Sequence, residues 1–158
     1  MAAETKHANL NAMIRAFRTA DAAAVTAIAA ESPEAANWAE NSYREALNWP
    51  GVVALVCEDD GKVAGFILGR QVGDEAEILN LAVTQTRRRR GEGAALLHAA
   101  MGEFRTRGVR RVFLEVRESN DTGIAFYEKQ GFRKKGRRAG YYHNPEETAL
   151  LMEMSLGD

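Results

Sequence analysis

Two apolar runs rich in β-branched residues, joined by a short polar turn, constrain the fold of this chain more than any other feature. They lie in the segment GVVALVCEDDGKVAGFILGR (51–70) and meet at DDG (59–61), where glycine adopts a positive φ at little cost. This pattern predicts an antiparallel hairpin. Because another apolar stretch follows after a few polar residues, a third strand is predicted over Glu75–Thr84.

The elements after the third strand alternate between helix and strand. Apolar residues recur at helical spacing from 91 to 107, and Gly108 is a typical residue just beyond a helix end. The sequence then predicts a strand over Val112–Val116, a helix over Asn120–Gln130, and strands over Phe132–Arg137 and Thr148–Leu156. Upstream it predicts a strand over Met13–Phe17 and helices over Asp21–Glu31, with Thr19 as N-cap, and Trp38–Asn48. Such an order indicates a mixed α/β or α+β domain.

The length and the charge balance narrow the class of protein. With 158 residues, of which 46% are hydrophobic, the chain can build one sizeable core but not two, so residues 1–158 are treated as one domain with a frayed start over 1–8. Lys and Arg number 21 and Asp and Glu 22, a net charge of −1, so no global positive field attracts nucleic acid or a membrane. The single cysteine, Cys57, fits a reducing compartment, and we expect a soluble cytoplasmic protein.

A strand, a basic glycine-containing loop and a helix start follow one another in LAVTQTRRRRGEGAALL (81–97). A helix start offers unpaired backbone N–H groups and a partial positive charge, and glycines let a phosphate approach the backbone closely. The segment therefore suits a phosphate or pyrophosphate. An arginine run is equally often a solvated face or a nucleic-acid contact, although no aromatic residues interleave here to stack bases. The loop is not a P-loop, because no Gly-Lys-Ser/Thr follows.

Together with a second block downstream, this loop resembles that of the GCN5-related N-acetyltransferase (GNAT) superfamily. The loop of that family is Gln/Arg-x-x-Gly-x-Gly/Ala, here RRRGEG (88–93), and LEVRESNDTGIAFYEKQGF (114–132) is similar to its strand–Asn–helix–Tyr-x-x-x-Gly-Phe block. Further segments, ILNLAV, LEVRESN and RRAGYY…ALLMEM, resemble the bacterial ribosomal-protein alanine N-acetyltransferases (RimI type). The resemblance implies a central, mixed, mostly antiparallel seven-stranded sheet flanked by about four helices, with splayed central strands that hold acetyl-CoA.

The resemblance also implies which residues bind the acetyl-CoA. Backbone groups pair with the pantetheine amides, the loop and helix start hold the phosphates, and one asparagine hydrogen-bonds the cofactor; these residues are Leu81, Ala82, Val83, Arg88, Arg89, Arg90, Gly91, Glu92, Gly93, Ala94 and Asn120. Asn120 is equally suited to capping the following helix. Two positions depart from the family pattern: Gln85 replaces a proline, and Glu92 puts a carboxylate between the glycines. No metal is expected, since the three histidines are scattered.

Two residues match the catalytic positions of the family. In the strand VFLEV, alternation puts Glu115 on one face with Phe113 and Arg117, and the resemblance implies that Glu115 is the base; taken alone, it reads as an ordinary solvated position. An α-amine has a pKa of roughly 7.7–8.0, so a modest base suffices. Tyr127 matches the residue that returns a proton to the CoA thiolate, and its alternative role is that of a core aromatic.

The implied activity is acetyl transfer from acetyl-CoA to a protein N-terminal α-amine, by direct attack of the amine on the thioester. The subfamily resemblance points to the N-terminal alanine of a small-subunit ribosomal protein. Transfer to a small-molecule amine or a lysine side chain is the alternative, and a non-catalytic acyl-CoA-binding module or a nucleic-acid contact through 87–90 are further ones. The expected partner is a peptide or protein N-terminus, with no direct nucleic-acid or membrane contact, and the chain is expected to be a monomer or weak dimer.

Overall fold

Seven strands form one sheet in the computed structural model, which describes residues 14–85 and 91–157. The strands are β1 (Ile14–Ala16), β2 (Val52–Asp59), β3 (Lys62–Val72), β4 (Glu75–Val83), β5 (Arg111–Arg117), β6 (Arg133–Tyr142) and β7 (Glu147–Ser155). Their order across the sheet is β1-β2-β3-β4-β5-β7-β6, and only β4 and β5 are parallel neighbours. The predicted mixed, mostly antiparallel seven-stranded sheet is confirmed.

Four helices flank this sheet within the same described ranges. They are α1 (Ala22–Ala30), α2 (Glu40–Ala46), α3 (Glu92–Thr106) and α4 (Asp121–Lys129). Both glycines that were expected just beyond helix ends have positive φ, 84° at Gly108 and 107° at Gly131. No helix in residues 14–85 and 91–157 has the length and apolarity needed to cross a membrane.

The entry to α1 differs from the prediction. Thr19 is not an N-cap but the first residue of a short 3-10 turn that precedes the helix. The Arg18 N–H donates to the Asp21 carboxylate over 2.7 Å, and Arg15 donates to the same carboxylate over 2.8 and 2.9 Å. Since Asp21 supplies the acceptor for this turn, the Thr19 side chain has no capping role there.

Two helix layers cover the sheet unequally. On one face, here called the rear face, α3 and α4 pack against apolar residues from β2 to β5 and from β7. On the other, the front face, α1 and α2 form a second core with β2, β3 and β4. Strand β3 is therefore buried continuously from Ala64 to Gly69, whereas β5 is buried only at alternate residues. The front of β5, β7 and β6 contributes no residue to either core among the described positions.

The central strands separate part-way along their length, as the prediction of splayed strands required. The β4–β5 ladder pairs only Glu75–Glu77 with Arg111–Phe113, although β4 continues to Val83 and β5 to Arg117. A gap therefore opens between the carboxyl ends of the two strands.

A register shift in β4 changes which face its residues occupy. Leu68 of β3 pairs with Asn80 and Gly69 pairs with Ile78, so Leu79 is an extra residue. Because one extra residue reverses the alternation, Ile78 faces the rear core while Ala82 faces the front core.

The sixth strand is longer than predicted. Instead of ending at Arg137, β6 continues to Tyr142, with two register irregularities in its pairing with β7. Its basic sequence shows no apolar alternation, so the backbone pairing with β7 and not a hydrophobic face defines its extent.

Candidate active site

The gap between β4 and β5 places backbone donors of β4 at its edge. The Thr84 N–H donates to the Ala64 carbonyl of β3 over 2.8 Å. Because donors alternate between the two edges of an antiparallel strand, the N–H groups of Leu81 and Val83 point the other way, toward the gap. The Leu81 N–H lies 3.1 Å from the Asn80 side-chain oxygen. An extended ligand in the gap would meet these groups as a neighbouring strand does.

The phosphate-binding segment begins where α3 begins. Gly91 is the N-cap, with a φ of 84° that favours glycine, and its carbonyl accepts from the Ala95 N–H over 2.9 Å. Gly93 and Ala94 lie in the first turn, where helix geometry offers N–H groups no intrahelical acceptor. Arg88, Arg89 and Arg90, predicted to bind the phosphates, lie outside the described residues. The backbone N–H groups at the start of α3, which the structure describes, therefore suit the binding of an anion.

Glu92 does not present its carboxylate to this anion site. Its side chain is buried, with 1% of the residue exposed, and it accepts a hydrogen bond from the Cys57 thiol over 3.5 Å. The carboxylate that stands between the two glycines in the sequence therefore points away from the anion site. The predicted binding of the cofactor by Glu92 stays a prediction.

Glu115 lies on the front face of β5, beside the gap. Only 11% of its side chain is exposed, and Arg138 Nη1 of β6 lies 3.4 Å from its Oε2. The Arg138 guanidinium is stacked over the Tyr141 ring, 4.9 Å from its centroid. The neighbours Arg138 and Tyr141 belong to the RRAGYY segment, which the sequence analysis quoted without assigning a role to these residues.

A second carboxylate lies near Glu115. Glu77 is at the last β4 position paired with β5, on the same face as Glu115. Burial raises the pKa of Glu77, the negative charge of Glu115 raises it further, and the charge of Arg138 opposes both. Arg138 therefore pairs with Glu115 and acts on Glu77 through its charge, an arrangement that sequence reasoning missed because the three residues are far apart in the chain.

Tyr127 lies on the rear face of the sheet. It belongs to α4, packs against the rear core, and contacts Phe126 and Phe132 edge-on, with ring centroids 5.1 and 5.7 Å away. Phe126 packs against the same core. Burial raises the pKa of Tyr127 well above its ordinary value, and Tyr142 adds to this effect. The phenol therefore keeps its proton at neutral pH.

Tyr142 connects the two predicted catalytic residues electrostatically. Burial and then the charge of Glu115 raise its pKa to about 12, and Tyr142 in turn raises the pKa of Tyr127. Its ring lies under the Arg117 guanidinium, 4.5 Å from the centroid. Arg117 also donates to the carbonyls of His143 and Pro145 over 3.1 and 3.0 Å, so it holds the β6–β7 turn against β5.

Asn120 caps α4. Its side-chain oxygen accepts from the Gly123 N–H over 2.8 Å, and a Cβ atom at position 123 would lie 2.4 Å from the Asn120 amide nitrogen. The capping role is therefore confirmed and explains the glycine at 123. The predicted hydrogen bond to the cofactor stays a prediction.

Asn80 is a site residue that the sequence analysis did not single out. It is 5% exposed, and its side chain accepts from the N–H groups of Ala36 and Leu81 and donates to the Ala36 carbonyl and the Tyr43 hydroxyl, over 3.0 to 3.2 Å. All four hydrogen-bonding positions of the amide are used. It thus fastens the loop between α1 and α2 to β4, next to the gap.

The gap combines a carboxylate with backbone donors at its edges, which suits proton transfer and the stabilisation of negative charge. Within residues 14–85 and 91–157 no cluster of three or more His, Cys, Asp or Glu side chains is arranged to hold a metal ion. Of the predicted residues in the described ranges, Leu81, Val83 and Glu115 lie on the strands that border the gap, and Tyr127 lies on the rear-face helix α4.

Comparison with known proteins agrees with this geometry. The family model described as Acetyltransferase (GNAT) family matches residues 22–132. Over 99 residues the chain is 39% identical to the ribosomal protein bS18-alanine N-acetyltransferase of Escherichia coli strain K12, covering 61% of this chain and 67% of that protein.

Two further similarities extend over more of the chain. A putative ribosomal protein bS18-alanine N-acetyltransferase of Bacillus subtilis strain 168 is 34% identical over 122 residues, which cover 77% of this chain and 81% of that protein. The crystal structure of the ribosomal-protein-S18-alanine N-acetyltransferase from Escherichia coli superimposes with a TM-score of 0.81 at 32% identity, over 92% of this chain and 94% of that one.

Proposed function

The chain belongs to the acetyltransferase (GNAT) family, and we propose that it transfers the acetyl group of acetyl-CoA to a protein N-terminal α-amine. The proposed acceptor is the N-terminal alanine of a small-subunit ribosomal protein. The observation that carries the proposal is the separation of β4 and β5 beyond Glu77 and Phe113, with Glu115 on the front face of β5 beside the gap.

The acetyl donor would lie along the gap. In this arrangement the backbone groups of Leu81 and Val83 that point toward the gap pair with the pantetheine amides, and the Leu81 N–H is shared between the pantetheine and the Asn80 oxygen that accepts it here. The start of α3 at Gly91, Gly93 and Ala94 receives the pyrophosphate. Acetyl-CoA supplies the activated thioester carbonyl. A backbone N–H at the gap stabilises the negative charge that develops on the carbonyl oxygen.

The two side chains divide the proton transfers between them. Glu115 takes a proton from the acceptor amine, directly or through a water, because only the neutral amine attacks. A C–N bond then forms as the C–S bond breaks, and the Tyr127 phenol donates its proton to the departing thiolate. The proton that the nitrogen loses on becoming an amide passes through water to the tyrosinate, which restores the phenol. The phenol is protonated at neutral pH, as a proton donor must be.

The acceptor would lie on the open front face. That face lies between the α1–α2 loop, which Asn80 fastens to β4, and the β6–β7 turn, which Arg117 holds. The alanine assignment is supported by the names of the relatives in E. coli and B. subtilis. An amine at the end of a chain can enter this position without the rest of the protein passing through the gap.

The test is a peptide panel analysed by mass spectrometry. The protein is incubated with acetyl-CoA and peptides that begin with Ala, Ser, Met or Gly, next to polyamines. An N-terminally blocked alanine peptide with an internal lysine is the matched control. We expect an acetyl group at the free N-terminus, with alanine preferred. Transfer only to polyamines or to the lysine of the blocked peptide would contradict the proposal.

A further inference from the structure

We propose that Arg138 is a displaceable counter-ion of the acceptor site, whose guanidinium occupies the position beside the Glu115 carboxylate that the acceptor ammonium takes on binding. An acceptor must then replace Arg138 before its proton can pass to Glu115. This inference rests on the proposed function, in which Glu115 is the base, and it adds a residue that determines the affinity for the acceptor.

The geometry places Arg138 between Glu115 and solvent. Its Nη1 lies 3.4 Å from Glu115 Oε2, while 61% of the arginine side chain and only 11% of the glutamate side chain are exposed. A cation that arrives from the front face therefore meets the guanidinium first. The guanidinium also lies over the ring of Tyr141, a residue 41% exposed, so it keeps a partner close to its present position if it leaves Glu115.

The charges of Glu77, Glu115 and Arg138 favour replacement of the guanidinium by the acceptor ammonium over repulsion of that ammonium. The Glu77 and Glu115 side chains both lie on the front face, and the positive charge of Arg138 acts on both carboxylates. Two carboxylate groups lie beside this one guanidinium, so the cluster has acceptor oxygens for a second cation. Because the guanidinium end of the pair is exposed and lies 3.4 Å from Oε2, an incoming ammonium can reach and replace it.

The neighbouring residue offers a matched comparison. Arg137 forms an ion pair with Glu118, and 63% of its side chain is exposed, close to the value for Arg138. It pairs with Leu150 of β7, which belongs to the rear core, so it lies on the opposite face from Glu115. A substitution at 137 therefore removes an equally exposed arginine, paired with a more exposed glutamate, without touching the acceptor site.

The test is the KM for the acceptor in Arg138→Gln and Arg138→Met, measured at saturating acetyl-CoA with the best acceptor of the wild-type protein. Removal of the competing cation should lower that KM about two- to fivefold, the fold-change expected for an ion pair with one solvent-exposed partner, and kcat is measured alongside. Arg138→Lys, which keeps the charge, should remain close to wild type. Arg137→Gln should leave both constants unchanged, and melting temperatures verify folding of each variant.

Other outcomes would overturn the proposal. An unchanged KM would mean that Arg138 does not compete with the acceptor, and an increased KM would mean that it binds the acceptor instead. If one Arg138 variant does not fold, the other decides the question, with the acceptor dissociation constant measured by calorimetry on the CoA complex as a second readout.

Failure of the proposed function is distinguishable from failure of this inference. If the wild-type protein acetylates only a small amine, the N-terminal assignment falls, while the sign of the KM change for that amine still tests Arg138. If the N-terminal peptide is the substrate and its KM does not fall in the Arg138 variants, only the counter-ion role is lost.

Discussion

The half of the sheet formed by β2, β3 and β4 has helices on both faces, whereas the half formed by β5, β7 and β6 has them only on the rear face. In the first half, β3 buries six consecutive residues from Ala64 to Gly69; in the second, β5 alternates between buried and half-buried positions. The difference shows where chemistry can be placed. An uncovered sheet face tolerates charged side chains, which a covered one excludes unless they are fully hydrogen-bonded.

The polar residues of the two halves illustrate this rule. Asn80 lies in the covered half and has a partner at each of its hydrogen-bonding positions. Glu115 lies in the open half with one ion pair to an exposed arginine, which can be exchanged for a substrate. The covered half thus provides a rigid wall for the gap, and the open half provides the reactive groups.

The sharpest test of this comparison is to remove the reactive groups from the open half. Glu115→Gln and Tyr127→Phe should each lower kcat by about 10²- to 10⁴-fold, the usual contribution of general acid–base groups. Since both changes nearly preserve shape, thermal melting should stay close to wild type. Steady-state kinetics and a melting curve check the two parts, and unchanged turnover in both variants would contradict the catalytic assignment.

The converse test removes a side chain from the covered half. Phe66 is fully buried and contacts Phe17 and Tyr43 edge-on. Phe66→Ala should lower the free energy of unfolding by about 3–5 kcal/mol, measured by denaturant titration. The control is Val72→Ala on the same strand, at a residue 71% exposed, which should change it by less than about 0.5 kcal/mol. Equal losses of unfolding free energy in Phe66→Ala and Val72→Ala would contradict the difference between the covered core and the exposed surface.

A third test uses pH at the edge of the covered half. The hydrogen bond from Arg15 is the largest of the effects that hold the pKa of Asp21 below its ordinary value. A depressed carboxyl pKa contributes stability above the unfolded-state pKa, and this stability is lost as the pH falls through the folded-state value. Asp21→Asn should therefore cost about 1.5–3 kcal/mol at pH 7, and the difference from wild type should shrink below about pH 4.

Denaturant titrations at several pH values measure this dependence. The matched control is Glu40→Gln, whose partner Arg44 is one helical turn away on an exposed surface. That pair should contribute no more than about 0.5 kcal/mol. A loss in Asp21→Asn that did not depend on pH would rule out the ion pair as its source.

The smallest effect is expected at Asn120, at the start of the helix that carries Tyr127. Asn120→Ala removes the cap of α4 and should cost about 1 kcal/mol of unfolding free energy. Asn120→Asp keeps a capping oxygen and should cost only a few tenths of that amount. If Asn120 also binds the donor, the aspartate variant should still show a higher KM for acetyl-CoA, and an unchanged KM would leave Asn120 with the capping role alone.

Much of the fold was predictable because local patterns specify it. The turn between β2 and β3 was predicted from DDG, and the structure shows positive φ there, 52° at Asp60 and 77° at Gly61. Alternation in VFLEV put Glu115 on the face away from the core, as observed. The end of β6 was not predictable, because its basic residues have no apolar period and only the pairing with β7 defines that strand.

The site was predictable only in part, for the same reason. Glu115 and Tyr127 were identified through family motifs, and Asn120 through its position before a helix. The inward orientation of Glu92 and the position of Arg138 beside Glu115 and Glu77 were not identified from the sequence, because they depend on contacts between residues distant in sequence. The type of a residue and the periodicity around it indicate on which face of a strand or helix its side chain lies. They do not indicate which side chain from another segment contacts it there.

The sequence by itself therefore determined the elements, most of their ends, their buried faces and the family. The elements, their ends and their buried faces follow from local backbone preferences and from the periods of helices and strands, which short segments carry on their own. The family was indicated by the resemblance of the motifs. The tertiary structure alone decided where β4 and β5 separate, that Leu79 reverses the faces of β4, and which charges meet on the open half. Strand register and side-chain partnership arise from packing between distant segments, and no local pattern encodes them.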